Sequence, residues 1–263
     1  MVFAKKEVEK TKANRDLLLD KSSCKSFSYL KEFNKHYESF CDLSEMNSND
    51  EDINKKRIEA GKLAAKVIAY DFEFNNELIS EKKKEYIKFA RDMLYEAGNK
   101  PNYDSEALIY LIRAYYGQTS IAYSHSGENK EKNIKIGNDW VDHIERNTKD
   151  RTLKAYALTL RCYEYMVNGQ ELGMSVKERL NKSEKDLLYA TKWDEDNYLA
   201  YYALGLLYSD NGNSKYNKEK AIENFTKVTS YKNKDANLDN YLDDGEKDKA
   251  INNAKKKIDL LNK

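Results

Sequence analysis

The stretch Tyr201-Tyr202-Ala203-Leu204-Gly205-Leu206-Leu207-Tyr208, followed by Ala221-x3-Phe225-x2-Val228, decides the fold. Tyr201, Leu204, Gly205 and Tyr208 stand at i, i+3, i+4 and i+7, a spacing that puts four side chains on one face of an α-helix. Ala221, Phe225 and Val228 stand at i, i+4 and i+7 and mark a second helix, with Asn211-Gly212 as the turn between them. The small Gly205 lets a neighbouring helix approach closely. The unit is therefore a helical hairpin, and one hairpin cannot bury its own apolar stripe.

Working upstream, the same frame recurs. Ser183, Leu187 and Ala190 repeat the second helix, then Gly137, Val141 and Ile144, then Ala90, Leu94 and Ala97, at successive steps of 38, 46 and 47 residues. Each set follows another of first-helix type: Ala155, Leu158, Thr159, Cys162; Leu108, Leu111, Ile112, Tyr115; Gly61, Ala64, Ala65, Ile68. Tyr156-Ala157-Leu158 also repeats as Tyr202-Ala203-Leu204. Self-similarity at such a period is the signature of a stacked array, in which hairpins share a continuous core.

With these residues in view, the last unit resembles the tetratricopeptide repeat, whose pattern is an aromatic, Leu-Gly, an aromatic, then small, aromatic and small residues. Upstream the resemblance thins. Thr159 and Ile112 replace the family glycine, Pro101 is displaced from the usual closing position, and the first three units are 12 or 13 residues longer than the family's 34. The expected fold is an all-α, right-handed α-solenoid of about four such hairpins, and the stripes with their flanking helices bring the count to about eleven helices.

The expected organisation is an N-terminal helical hairpin at residues 1–57, four repeats at 58–235 (58–104, 105–151, 152–197 and 198–235), and a C-terminal capping helix within 236–263. Leu30, Phe33, Tyr37 and Phe40 form the stripe of the first hairpin, which a lysine-rich helix precedes. Ala250, Ile251, Ala254, Ile258 and Leu261 line one side of the cap, which would shield an otherwise open solenoid end. Asn168-Gly169, Asn211-Gly212, Gly98 and Gly127 are expected left-handed helix stops.

Composition narrows the function classes. The 263 residues carry 46 basic and 45 acidic side chains, a net charge of +1, which lacks the basic excess of a general nucleic-acid binder. One proline and ten glycines disfavour turn-rich β classes. No apolar run reaches the roughly 18 residues of a membrane span. Cys24, Cys41 and Cys162 form no Cys-x-x-Cys pair and read as small buried hydrophobes, with a Cys24–Cys41 bridge as the alternative.

Catalytic spacing is missing: there is no phosphate-binding glycine loop, His-Glu-x-x-His helix or Gly-x-Ser-x-Gly elbow. His125, the one histidine expected in a loop, makes no triad by itself. No cofactor or metal is expected. Asp243-Asp244-Gly245-Glu246 fails as a calcium loop because Leu242 stands where an oxygen ligand is required. Asn181-Lys182-Ser183 and Asn224-Phe225-Thr226 match a glycosylation sequon but fall on expected helices.

In the resembled family the first helices line a concave wall that binds peptide segments. One turn from the packing stripes, that wall would present Lys62 and Lys66, then Arg113 and Tyr116 beside Ile109, then Tyr156, Leu160 and Tyr163, then Tyr202 and Leu206. Tyrosines give large contact area at low rotamer cost, so the leading reading is a non-enzymatic scaffold for a protein or peptide partner, without nucleic acid. The same residues packing against the next helix is the competing reading. A second function class is an exported, envelope-associated repeat protein that assists a solute transporter or holds a small ligand. Its support is Val2-Phe3-Ala4, spaced like the end of a truncated leader; without such a leader the chain reads as cytoplasmic. A third class is an enzyme with a cryptic carboxylate cleft.

Overall fold

The computed structural model describes residues 27–46, 50–70, 80–98, 105–117, 130–233, 236, 238–239, 242 and 245–263, without the side chains of 27–32, 66, 69–70, 80–85, 105 and 233. Among these residues there are ten α-helices and no strand. They are α1 (Phe27–Glu45), α2 (Glu51–Tyr70), α3 (Ser80–Gly98), α4 (Ser105–Tyr115), α5 (Lys130–Asn147), α6 (Arg151–Asn168), α7 (Val176–Trp193), α8 (Tyr198–Ser209), α9 (Lys218–Thr229) and α10 (Glu246–Leu261). Short 3-10 turns follow α6 at Gly169–Leu172 and α9 at Ser230–Asn233. The expected helix before α1 lies outside the described residues, as do Cys24, His125, Pro101 and Gly127.

The chain divides into two compact units, Met1–Tyr123 and Ser124–Lys263. In the first, α1 packs on α2, α2 on α3 and α3 on α4. In the second, α6 pairs with α7 and α8 with α9. Helix α5 lies on α6, α8 touches α6 and α7, and α10 covers α9 and part of α8. The division falls inside the expected 105–151 repeat, with α4 in one unit and α5 in the other. The expected boundary after residue 57 lies within α2, because Asp50 starts that helix: its side chain accepts the Asp52 N–H and its carbonyl the Asn54 N–H.

The periodic stripes are the core. Ala64, Ala65, Ile68, Ala90, Leu94, Leu108, Leu111, Ile112, Val141, Ile144, Cys162, Leu187, Ala190, Ala221, Phe225 and Val228 are all fully buried. Gly205 explains the closeness of α8 and α9: a Cβ there would meet the Phe225 ring at 2.5 Å. Where Thr159 takes the place of that glycine, its hydroxyl donates to the Ala155 carbonyl and accepts from the buried Asn197 amide at 3.3 Å. Asn197 in turn caps α8 by accepting the Ala200 N–H at 2.9 Å.

The glycine stops are placed differently from expectation. Positive φ among the described residues occurs at Gly117, Gly173 and Gly245, whereas Gly169 is right-handed with φ −62. The chain leaves α6 directly into a 3-10 turn, which postpones the left-handed residue to Gly173. Ser175 then starts α7 through a reciprocal capping box with Glu178. No described helix is long and apolar enough to cross a membrane.

Candidate functional site

In the first unit the expected wall is largely packed. Lys62 is buried and paired with Glu59 at 2.9 Å and with Glu106 of α4 at 3.6 Å. Arg113, Tyr116 and Ile109 are also buried. Helix α4 is buried continuously from Ala107 to Ile112, so a residue one turn away from its stripe has no solvent face to occupy. The Lys66 side chain lies outside the described residues.

In the second unit the same wall splits in two. Tyr156 and Leu160 are buried, while Tyr163, Tyr202 and Leu206 keep partly exposed surfaces. These three stand on α6 and α8, helices held in place from behind. Arg161 gives both Nε and Nη2 to Asp186 of α7, at 2.8 and 3.0 Å, and Nη1 to Asp142 of α5 at 2.6 Å. Burial opposes charge on this guanidinium, but the Asp186 hydrogen bonds and attraction outweigh it and hold the group well above its ordinary value. Glu184 of α7 accepts the Tyr208 hydroxyl at 2.9 Å and pairs with Lys215.

The surroundings of these tyrosines are electrostatically distinctive. Burial pushes the Tyr163 phenol far above its usual range, with the nearby Cys162, Tyr202, Tyr156 and Glu246 adding to the rise. Burial also raises Tyr202, an effect the amide of Asn253 on α10 opposes. Glu246 and Asn253 of α10 are thus among the polar groups that act on Tyr163 and Tyr202. At the start of α10 the Tyr198 hydroxyl donates to Asp239 at 2.8 Å, and Asp239 also receives Lys247 at 2.7 Å. Burial alone would raise Asp239; these donors and the Ala236 N–H hold it below the usual carboxylate range. All of these phenols remain neutral hydrogen-bonding groups at neutral pH, suited to recognition by contact and hydrogen bond.

Glu246 and Asn253 were not expected at this site. Their helix is apolar on the cap side, and only the folded chain brings its polar edge against tyrosines that stand 40 to 90 positions earlier. Elsewhere in the unit a shallow polar cleft of about 500 Å³ lies between Lys192, Asp196, Tyr201, Lys227 and Tyr231. Lys227 covers the Tyr201 ring there, 4.6 Å from its centroid.

No group of three or more His, Cys, Asp or Glu side chains suited to a metal ion occurs among the described residues. Cys162 is buried and outside any disulfide, and burial pushes its thiol up to about 12. Comparison with protein-family models, with curated proteins and with solved structures finds no match to this chain.

Proposed function

We propose that the chain is a degenerate helical-repeat module of the tetratricopeptide kind, acting by binding a partner polypeptide and not by catalysis. The contact surface that this reading assigns is a tyrosine recess of the second unit, made of Tyr163, Tyr202 and Leu206 with Glu246 and Asn253 at its edge. The observation that carries it is the partial exposure of the Tyr163, Tyr202 and Leu206 side chains on α6, which the Arg161 network ties to α5 and α7, and on α8, which Asn197 and Tyr208 tie to α6 and α7. Rigid aromatic groups that need little ordering on contact are where binding energy concentrates. The residues of the first unit that were expected to extend this wall support its packing instead.

A photoreactive phenylalanine analogue at Leu206 would capture the partner, and affinity for the captured polypeptide would then be measured with Tyr202→Ala. A loss of about tenfold or more, roughly 1.4 kcal/mol, is expected with helicity unchanged. Unchanged affinity for every captured partner would remove the recess from consideration.

A further inference from the structure

Helix α7 divides its charges unequally. Two of its three carboxylates are engaged inside the unit, Glu184 with Lys215 and Tyr208 and Asp186 with Arg161, while Glu178 stays exposed in the capping box with Ser175 and attracts Lys182. Its exposed lysines outnumber that one outward carboxylate four to one. Lys177, Lys182, Lys185 and Lys192 make no ion pair among the described residues. The ammonium groups of Lys182 and Lys185 lie over the rings of Tyr165 and Tyr189, at 5.7 and 5.9 Å from the centroids.

Among these lysines sit two apolar side chains turned to solvent, Leu188 at 51% and Tyr189 at 44% exposure. At about 100° per residue the six side chains occupy an arc roughly 140° wide, opposite the buried Ser183, Leu187 and Ala190. From Lys177 to Lys192 the strip is about 22 Å long. It joins an excess of positive charge, four lysines against the exposed Glu178, to an apolar centre, on a helix whose register is fixed by Glu184 and Asp186.

We propose that this outer face of α7 docks an acidic amphipathic segment of another protein, a surface separate from the tyrosine recess. Charge complementarity selects the occupant. The strip is one helix wide: α9, the second helix of the next hairpin, alternates Glu219 and Glu223 with Lys218, Lys220 and Lys227 and shows no such excess. A phosphate backbone offers nothing apolar for Leu188 and Tyr189 to meet. A bilayer would be gripped by a broader apolar face than these two side chains provide. A polypeptide carrying Asp or Glu on both sides of a leucine ridge satisfies both halves of the strip.

The test uses the full chain and a fluorescein-labelled 20-residue Glu/Ala/Leu helical peptide, with its Lys-for-Glu counterpart as control, read by fluorescence anisotropy. The acidic peptide should bind, the basic one should not, and affinity should fall about tenfold between 50 and 200 mM salt. Lys182→Glu with Lys185→Glu should cost tenfold or more. Leu188→Ser with Tyr189→Ser should cost a few-fold, and Lys218→Glu with Lys220→Glu nothing. Should the charge reversal disturb helicity, Lys182→Gln with Lys185→Gln takes its place, with a loss of about threefold expected. Absence of acidic-peptide binding, or indifference to the lysine variants, overturns the proposal. So does tighter binding to phosphatidylserine vesicles or to a single-stranded RNA 20-mer. Tyr202→Ala should leave peptide binding intact, so failure here and failure of the recess are told apart.

Discussion

The first three helices and the last six are held together by a different balance of aromatic and polar contacts. Around α1 and α3, Phe33, Tyr37, Phe40, Tyr86 and Phe89 form a cluster of rings with centroids 5.0 to 6.1 Å apart. In the second unit the interhelix contacts include polar ties: Arg161 to Asp142 and Asp186, Asn197 to Thr159, Glu184 to Lys215 and Tyr208. Rings attract over a range of offsets and tilts, so a ring cluster supplies cohesion with modest demands on register. A buried guanidinium accepts one placement of its carboxylates and is costly in any other. Polar ties occur in the first unit too, Arg57 to Glu96 and Lys62 to Glu106, so the contrast is one of emphasis: rings lead in the first unit, and buried polar ties in the second, where the partly exposed tyrosines stand.

The largest effect should come from removing a polar tie. Arg161→Ala leaves Asp186 buried without its cation and is expected to destabilise the second unit by about 3–5 kcal/mol. Both tryptophans, Trp140 and Trp193, belong to this unit, so their fluorescence during urea denaturation follows it selectively. Arg161→Met combined with Asp186→Leu should recover much of the loss, because two apolar groups leave no charge stranded. If Arg161→Ala proved as mild as a surface change, the contrast between the units would collapse.

A smaller, pH-dependent effect is expected at Glu164 on α6. Its side chain is buried, and burial pushes the carboxyl up to about 7, against the opposing influence of the Asn168 amide and Lys130. With the folded value above the unfolded one, the folded state holds this proton more tightly. The group's contribution to stability is then complete below about pH 4.5 and is lost as pH rises to about 7. Glu164→Gln should match the parent near pH 4.5 and exceed it by about 2 kcal/mol at pH 7.5, again by tryptophan fluorescence. An identical slope in the two proteins would contradict the assignment.

The mildest change should be Phe33→Leu in the ring cluster, expected to cost about 1–1.5 kcal/mol since the neighbouring rings can close on a side chain of similar volume. Hydrogen exchange of α1 and α3 amides would measure it. A loss comparable to that of Arg161→Ala would show that the rings, too, demand one arrangement.

Much of this architecture was legible beforehand. The stripes from Gly61 to Ile68, Ala155 to Cys162 and Ala221 to Val228 read out the core because helical periodicity records which face is dry. The candidate wall was less legible, since α4 and α6 are dry over more than one face. A second buried face is created by residues far along the chain, which local spacing does not encode. Arg113 and Tyr156 read like surface residues by offset from the stripe and are interior in the fold. The same limit hid the approach of Asn253 to Tyr202.

The missing Cβ of Gly205 has a consequence for how these hairpins can drift in sequence. The hydrogen at that position and the Phe225 ring divide a fixed space between them. At the matching positions one hairpin earlier, a bulkier Thr159 corresponds to Gly205 and a slimmer Leu187 to Phe225. Such pairs should covary in volume: a variant that enlarges residue 205 should survive best when residue 225 shrinks in the same step.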